Sequence, residues 1–410
     1  MTERVYYTDS YAQEFAAAVT QLTHLDGQAA VILDRTCFYP ESGGQPYDTG
    51  FLGSSRVTAV MERNDEILHF LAGEAPLPGS VVRGRIDWSR RFRFMQQHTG
   101  QHILSQAFLR LAGAETVSSH LGEDDSTIDL SIDEMTPELL ESVETEANRV
   151  VFEDRYVAIR FLSPEEAHHL SLRKLPERSG SIRIIDIEGY DVTACGGTHC
   201  RRTGEVGLIL VCGQERVRRK PRIHFVCGFR ALELARRDLR VTNRLSGLLS
   251  SSPDMLVSTA ERLLEQNEQW QRRSRELEEK YLSQEARSTA VAAEMLPGRG
   301  RLACKILSDA DPEGLQRFAA LAIAEAPDLI LVAAASVPGA PVLLTRGPDA
   351  PQVDLRPAFE LVRQLVGGRG GGSPQRIQGG GGDPQKLPAA LQVAVEAVKS
   401  AINLTPEQSG

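Results

Sequence analysis

Over residues 1–90 the apolar positions fall in short runs closed by glycine and proline. Ala30-Val31-Ile32-Leu33-Asp34 is one such run; Val81-Val82-Arg83-Gly84-Arg85-Ile86, entered through Pro78-Gly79-Ser80, is another. Short strands with this punctuation predict a compact β-barrel or sandwich rather than a helical bundle. Helical spacing takes over at Phe94 and runs to Leu111, carrying Met95, His98, His102 and Leu109. Beyond it the pattern predicts strands at 126–132 and 157–162, a helix at 136–151, and strands at 181–187, 206–211 and 223–226. The stretch to about residue 230 therefore reads as α+β.

Between residues 256 and 284 the pattern becomes a heptad: Leu256, Ala260, Leu263, Asn267, Trp270, Ser274, Leu277 and Tyr281 alternate at steps of four and three. Ala260, Asn267 and Ser274 are small or polar, so the seam is weak. An antiparallel helix packed on its own chain and a dimeric coil fit it equally. Pro297-Gly298-Arg299-Gly300 breaks the pattern. Strands at 329–335 and 342–345 and a helix at 355–366 then predict a small α/β domain, which also holds the glycine runs 367–372 and 379–382. Four regions result: a barrel-like 1–90, an α+β 91–240, a helical or coiled-coil linker 241–296, and a glycine-rich 297–410.

Composition adds little to this frame except by exclusion. At 41% apolar and 25% charged the 410 residues are those of a globular protein. A net charge of −9 argues against general coating of nucleic acid, though local basic patches could still grip one. Six scattered cysteines are too few for a disulfide scaffold and suit a reduced, cytoplasmic compartment. The N-terminal residues lack a signal-peptide pattern, and no apolar run reaches the ~20 residues of a membrane span.

Candidate chemistry lies in two matched pairs. His98 and His102 stand at i and i+4, stacked on one helical face. Thr99 follows His98, so the pair is not the H-E-x-x-H helix of metalloproteases. Cys195 and His199 flank Gly196-Gly197, which permit a tight turn. Three imidazoles and a thiol form a donor set for one zinc ion. Four protein ligands close a structural site, whereas a catalytic zinc needs an open position; the spacing leaves both readings standing.

The stretch Thr36-Cys37-Phe38-Tyr39-Pro40-Glu41-Ser42-Gly43-Gly44-Gln45 offers paired glycines for close backbone approach and an amide that both donates and accepts. Basic residues cluster at 90–93, at Arg201-Arg202, and densely from Arg216 to Arg222; together they suit phosphate contacts, while each cluster taken singly reads first as a solvated face. The glycine runs carry Arg369 and Arg376 but no Gly-Lys-Ser/Thr, so they are no phosphate loop. They read either as a flexible loop or as a backbone-rich RNA contact.

In this order, Phe38 to Gln45, His98-x-x-x-His102 and Cys195-Gly196-Gly197-Thr198-His199 resemble the editing domain of alanyl-tRNA synthetase. The 367–382 stretch resembles the glycine-rich segment of that enzyme's C-terminal domain. With no aminoacylation domain ahead of them, the combination looks like a free-standing alanyl-tRNA editing protein of the long AlaX class, over nearly the full length.

The resemblance implies hydrolysis of the ester joining serine, and perhaps glycine, to alanine-specific tRNA. It implies zinc on His98, His102, Cys195 and His199, with Gln45 beside the scissile ester and Thr36 a candidate to meet the serine hydroxyl. Gly43, Gly44, Arg222 and Arg369 are the expected substrate contacts. The C-terminal domain would hold the tRNA body, and the linker or that domain could form a homodimer. His224 departs from the family, which commonly has an acidic residue after Arg-Ile. No Asp-His-His occurs, which excludes a DHH phosphoesterase. A tRNA-binding module with a structural zinc and no turnover is the alternative function.

Overall fold

A computed structural model of the chain describes residues 2–25, 27–168, 181–296 and 300–403. They form two compact units, Met1–Leu248 and Leu249–Gly410. The predicted break at 297–299 lies outside the described residues.

In the first unit six antiparallel strands close into a barrel, in the order Glu14–Leu25, Gln28–Leu33, Glu66–Ala72, Ser55–Arg63, Gly50–Leu52, Val81–Ile86. Alternation sends Ala17, Val19, Val31, Leu33, Leu52, Val57, Val60, Ile67 and Ile86 into the core, while Ala30, Ile32, Leu68 and Phe70 form a second, smaller buried cluster. Glu14–Leu25 escaped the sequence reading because its Ala16-Ala17-Ala18 run carries little apolar contrast between its faces.

The helix Trp88–Ala112 follows directly. Asp87 caps it, its Oδ1 accepting from the Arg90 amide at 3.1 Å, and Gly113 ends it at φ 61°. It begins six residues earlier than the 94 expected, because Arg90, Arg91 and Arg93 are part of the helix rather than a solvated cluster. Nearly every residue from Phe94 to Phe108 is buried, so polar His98, Gln101 and His102 are sealed in with the apolar ones.

Against it lie a four-stranded sheet (Ile209–Val217, Lys220–Cys227, Ser126–Leu130, Thr116–Leu121), a three-stranded sheet (Val157–Leu162, Ile182–Ile187, Asp191–Ala194) and the helix Pro137–Phe152. The strand expected at 206–211 starts only at Ile209, because Thr203–Val206 is a 3₁₀ turn. The unit ends in the helix Phe229–Leu249, buried only at Arg230 and Ala231.

His69, in the barrel wall, has no exposure: Nδ1 lies 3.1 Å from the Val31 carbonyl and Nε2 2.8 Å from Thr36 Oγ1. Burial lowers its pKa to about 4, only partly offset by its bonds to backbone carbonyls. Between pH 6.5 and 4 the unfolded chain binds a proton that the folded chain refuses, so stability falls on acidification by ~3 kcal/mol. His69→Asn should flatten that fall. Urea midpoints read at pH 7 and pH 4.5 from Trp88 fluorescence, in a Trp270→Phe background, test it; an equal drop in both proteins would count against it.

In the second unit the 36-residue helix Leu256–Val291 buries none of its heptad positions and packs through other residues instead. Leu282, Ala286 and Ala290 pack on Leu315, Phe318, Ala319 and Ala322 of the helix Pro312–Glu325, while Leu263, Trp270 and Leu277 stay exposed. A six-stranded mixed sheet runs Glu294–Met295, Arg301–Leu307, Leu329–Ala335, Val342–Arg346, Arg376–Gly380, Arg369–Gly372. Leu329–Ala335 is buried on both faces: Ile330, Val332 and Ala334 point into one core, Leu331 and Ala333 into the other. That explains its continuous apolar run.

The glycine runs are not a flexible loop. They are the antiparallel edge hairpin of this sheet, pairing Gly370 with Gly379. A Cβ at Gly370 or Gly379 would come within 2.5 or 2.6 Å of Phe359 Cζ, so the glycines let that ring pack on bare backbone. Among the described residues no helix is long and apolar enough to cross a membrane.

Candidate metal centre

The predicted pairs meet. The helix Trp88–Ala112 supplies His98 and His102 from one face, and the turn after the strand Asp191–Ala194 supplies Cys195 and His199. Their ligand atoms lie within 4.8 Å of one another. His98 Nε2 and His199 Nε2 are each 3.3 Å from Cys195 Sγ. A tetrahedral zinc with usual bond lengths sets sulfur and nitrogen roughly 3.5 Å apart, so the residues fit the ion.

Each imidazole is held from behind. His98 Nδ1 lies 2.8 Å from Gln45 Oε1, His102 Nδ1 3.3 Å from Asp191 Oδ2, and His199 Nδ1 3.3 Å from Thr99 Oγ1. Partners on Nδ1 leave Nε2 for the ion and fix the ring planes. Burial alone would raise the Cys195 thiol, but His98 and His199 charge and the bonds from His102 and His199 bring it well below its usual value. Burial and the neighbouring His98 push His199 down. For His102 burial is outweighed by Asp191 and Cys195, and it rises.

Gly197 has a reason beyond turn flexibility: a Cβ there would collide with the His98 ring. Ser42 and Gln45 close a two-residue hairpin, with Gly43 and Gly44 at φ 58° and 83° between them. A Cβ on Gly44 would sit 2.7 Å from the Ser119 carbonyl. This tight turn carries Gln45 into the buried centre, where Nε2 donates to Thr198 Oγ1 at 2.8 Å and Oε1 accepts from the Thr198 amide at 3.1 Å. With His98, both ends of the Gln45 amide are engaged by protein. Thr36 is likewise fully buried, its hydroxyl shared between His69 and the Phe38 amide.

The basic clusters fare differently. Arg90 pairs with Glu123 at 2.6 Å, Arg91 with Asp48, Arg93 with Glu233, Arg201 with Asp9 and Arg202 with Asp154. Arg222 bonds both oxygens of Asp129, at 2.6 and 3.0 Å. His224 lies 2.7 Å from Asp125. Arg218 and Arg219 occupy the hairpin tip before Lys220, both at positive φ, 50° and 71°, and neither is ion-paired among the described residues. Arg369 is exposed at the start of the glycine hairpin in the second unit.

The sequence reading missed Arg183, Asp191 and Thr99. Arg183 is buried, donates to the Cys195 carbonyl at 2.5 Å and the Tyr7 carbonyl at 2.9 Å, and leaves NH2 without a partner among the described residues. Its one signal was a cation inside the otherwise apolar run Ile182 to Ile185.

Residues 4–90 match the family "tRNA synthetases class II (A)", and residues 182–220 match "Threonyl and Alanyl tRNA synthetase second additional domain". An alanine–tRNA ligase of Pyrobaculum calidifontis is 36% identical over 96% of this chain and 44% of its own length. The alanyl-tRNA editing protein AlaX-L of Pyrococcus horikoshii is 38% identical over 58% of this chain and 61% of its own. The chain thus spans less than two thirds of these relatives. The C-Ala domain of Aquifex aeolicus alanyl-tRNA synthetase matches 26% of this chain and 97% of its own, at 20% identity and a TM-score of 0.24.

Proposed function

We propose, from its similarity to alanine–tRNA ligases and to the AlaX-L editing protein, that the chain hydrolyses the ester of alanine-specific tRNA mischarged with serine or glycine. The observation that carries this is the Cys195–His199 turn meeting His98 and His102 in one cluster. Zinc bound there would polarise or anchor the substrate at the ester.

The chain's own residues do the rest. Gln45 holds the His98 ring and, through Thr198, the turn that bears His199; it is a positioning residue. Gly43 and Gly44 let its hairpin reach the centre. NH2 of Arg183, without a partner among the described residues, would supply a donor for a substrate oxygen, where developing negative charge is stabilised. Thr36 needs to exchange its His69 bond to meet a serine hydroxyl, a handle that alanine lacks; an unpaired buried hydroxyl costs about 1–3 kcal/mol. No Ser/His/Asp triad is invoked, so water attacks the ester directly. Arg222 and Arg369 are proposed tRNA contacts, with a homodimer through the exposed Leu263–Leu277 stripe.

The test is incubation of the chain with seryl-, glycyl- and alanyl-tRNA for alanine. Loss of seryl or glycyl ester with alanyl ester spared supports editing; equal loss of all three contradicts it, and no loss favours the non-catalytic tRNA-binding module. Gln45→Ala, with zinc content checked, should slow deacylation about 10–100-fold, the usual cost of losing a partner behind a metal-binding histidine. An unchanged rate removes Gln45 from the site.

A further inference from the structure

The barrel's outer face carries a cationic patch that no stretch of sequence displays. On three neighbouring strands Arg56, Phe51 and Arg85 stand directly opposite one another, Phe51 being the register partner of both arginines. Arg83 lies two residues before Arg85 and so shares its face. Phe51 is 42% exposed. While Arg4, Arg35, Arg90 and Arg91 of this unit are ion-paired, none of Arg56, Arg83 and Arg85 is, among the described residues. Among the described residues, no guanidinium stacks on Phe51. The patch borders a cavity of about 540 Å³ lined by Gln13, Glu14, Phe51, Arg56, Arg85 and Trp88.

We propose that this face is a binding site for single-stranded RNA, with a base stacked on Phe51 and phosphates held by Arg56 and Arg85. An exposed aromatic ring flanked by unpaired arginines is the arrangement that grips unstacked strands without reading sequence. A duplex hides its base faces and offers nothing to the ring. Glu14, opposite Arg85, gives an acceptor for the exocyclic amine of a cytosine or adenine. Asp87 is occupied in capping the helix. On a chain of net charge −9, three arginines outside any ion pair among the described residues, against the single carboxylate of Glu14, form a local attraction of the opposite sign.

The helix that begins at Trp88 beside this cavity carries His98 ten residues on, ~15 Å along its axis. Where the proposed function holds, the strand bound here is the unpaired 3′ end that bears the ester, so the inference deepens that reading while its binding test stands apart from it.

The probe is a fluorescently labelled six-nucleotide RNA carrying no amino acid, titrated into the full chain by anisotropy. Phe51→Ala should weaken binding about 5- to 150-fold, the range for losing one stacked base, while Phe51→Trp retains it. Arg56→Gln/Arg85→Gln should flatten the log K against log salt slope by roughly 1.4, at about 0.7 per single-strand phosphate contact. All are surface changes, and an unshifted melting curve confirms the fold. Wild-type affinity and slope in both variants would overturn the proposal, as would a six-base-pair RNA duplex bound as tightly and with the same dependence on Phe51. Phe51-dependent RNA binding in a chain that cleaves no aminoacyl ester would sink the proposed function and leave this site standing. Ester cleavage without such binding would do the reverse.

Discussion

Cys195→Ala is expected to strip the metal from the chain and to slow deacylation at least ~100-fold, the scale on which losing a single preorganised electrostatic group is felt. Cys195 is the hub of the cluster: two imidazole nitrogens lie 3.3 Å from its sulfur, and its thiol is the only anionic ligand of the four. Without it three neutral rings remain around a buried void, which is a poorer site for a divalent ion. Metal per chain, measured by mass spectrometry on the sample used for deacylation, is the readout. Chelation followed by added zinc should restore the wild type and leave the variant inactive. Cys304→Ser, at an exposed cysteine of the second unit, should change neither quantity. Stoichiometric zinc in Cys195→Ala would remove that residue from the ligand set.

What the sequence made legible follows the range of the interactions. Strands 81–86, 157–162 and 329–335 were read to the residue because their apolar runs end at their own turn residues. The two ligand pairs were legible for the same reason: four-residue spacing is local geometry, and only their meeting needed the fold. The groups behind the imidazoles were not. Gln45 reaches His98 across 53 residues, Asp191 reaches His102 across 89, and Thr99 reaches His199 across 100. Nothing in the local pattern of either partner announces such a bond.

Charge misled in both directions. The dense cluster at 90–93 resembles a phosphate grip but is spent on Glu123, Asp48 and Glu233. Arg56 and Arg85 are unremarked in sequence, yet register sets them on either side of Phe51. The flexible-loop reading of the glycine runs fails because Phe359, lying across Gly370 and Gly379, explains a strand without side chains.

Asp48→Ala should cost the first unit about 3–5 kcal/mol, the usual penalty for leaving one partner of a buried ion pair uncompensated. Arg91 is fully buried and Asp48 is 1% exposed. Arg91 Nε donates to both Asp48 oxygens at 3.1 and 3.0 Å; NH1 donates to the Ser10 carbonyl at 2.8 Å and NH2 to the Cys37 carbonyl at 2.5 Å. Asp48 also accepts from the Tyr39 amide at 2.7 Å. One guanidinium thus ties three loop segments to the helix that bears His98 and His102. For a unit of this size the loss corresponds to roughly 6–20 °C in Tm. Arg91→Met/Asp48→Leu should lose less than Asp48→Ala, because no charge is left stranded.

The clamp also bears on the metal centre. Asp48 lies three residues after Gln45 and Arg91 seven before His98, so loosening it frees both ends of the Gln45–His98 bond. Deacylation by Asp48→Ala should therefore fall at temperatures where its Trp88 signal still reports a folded unit, and the double variant should not recover it fully. A melting point for Asp48→Ala within about 2 °C of wild type, well below the shift a stranded buried charge implies, would show that Arg91 finds other compensation and that the clamp is not what holds Gln45 in place.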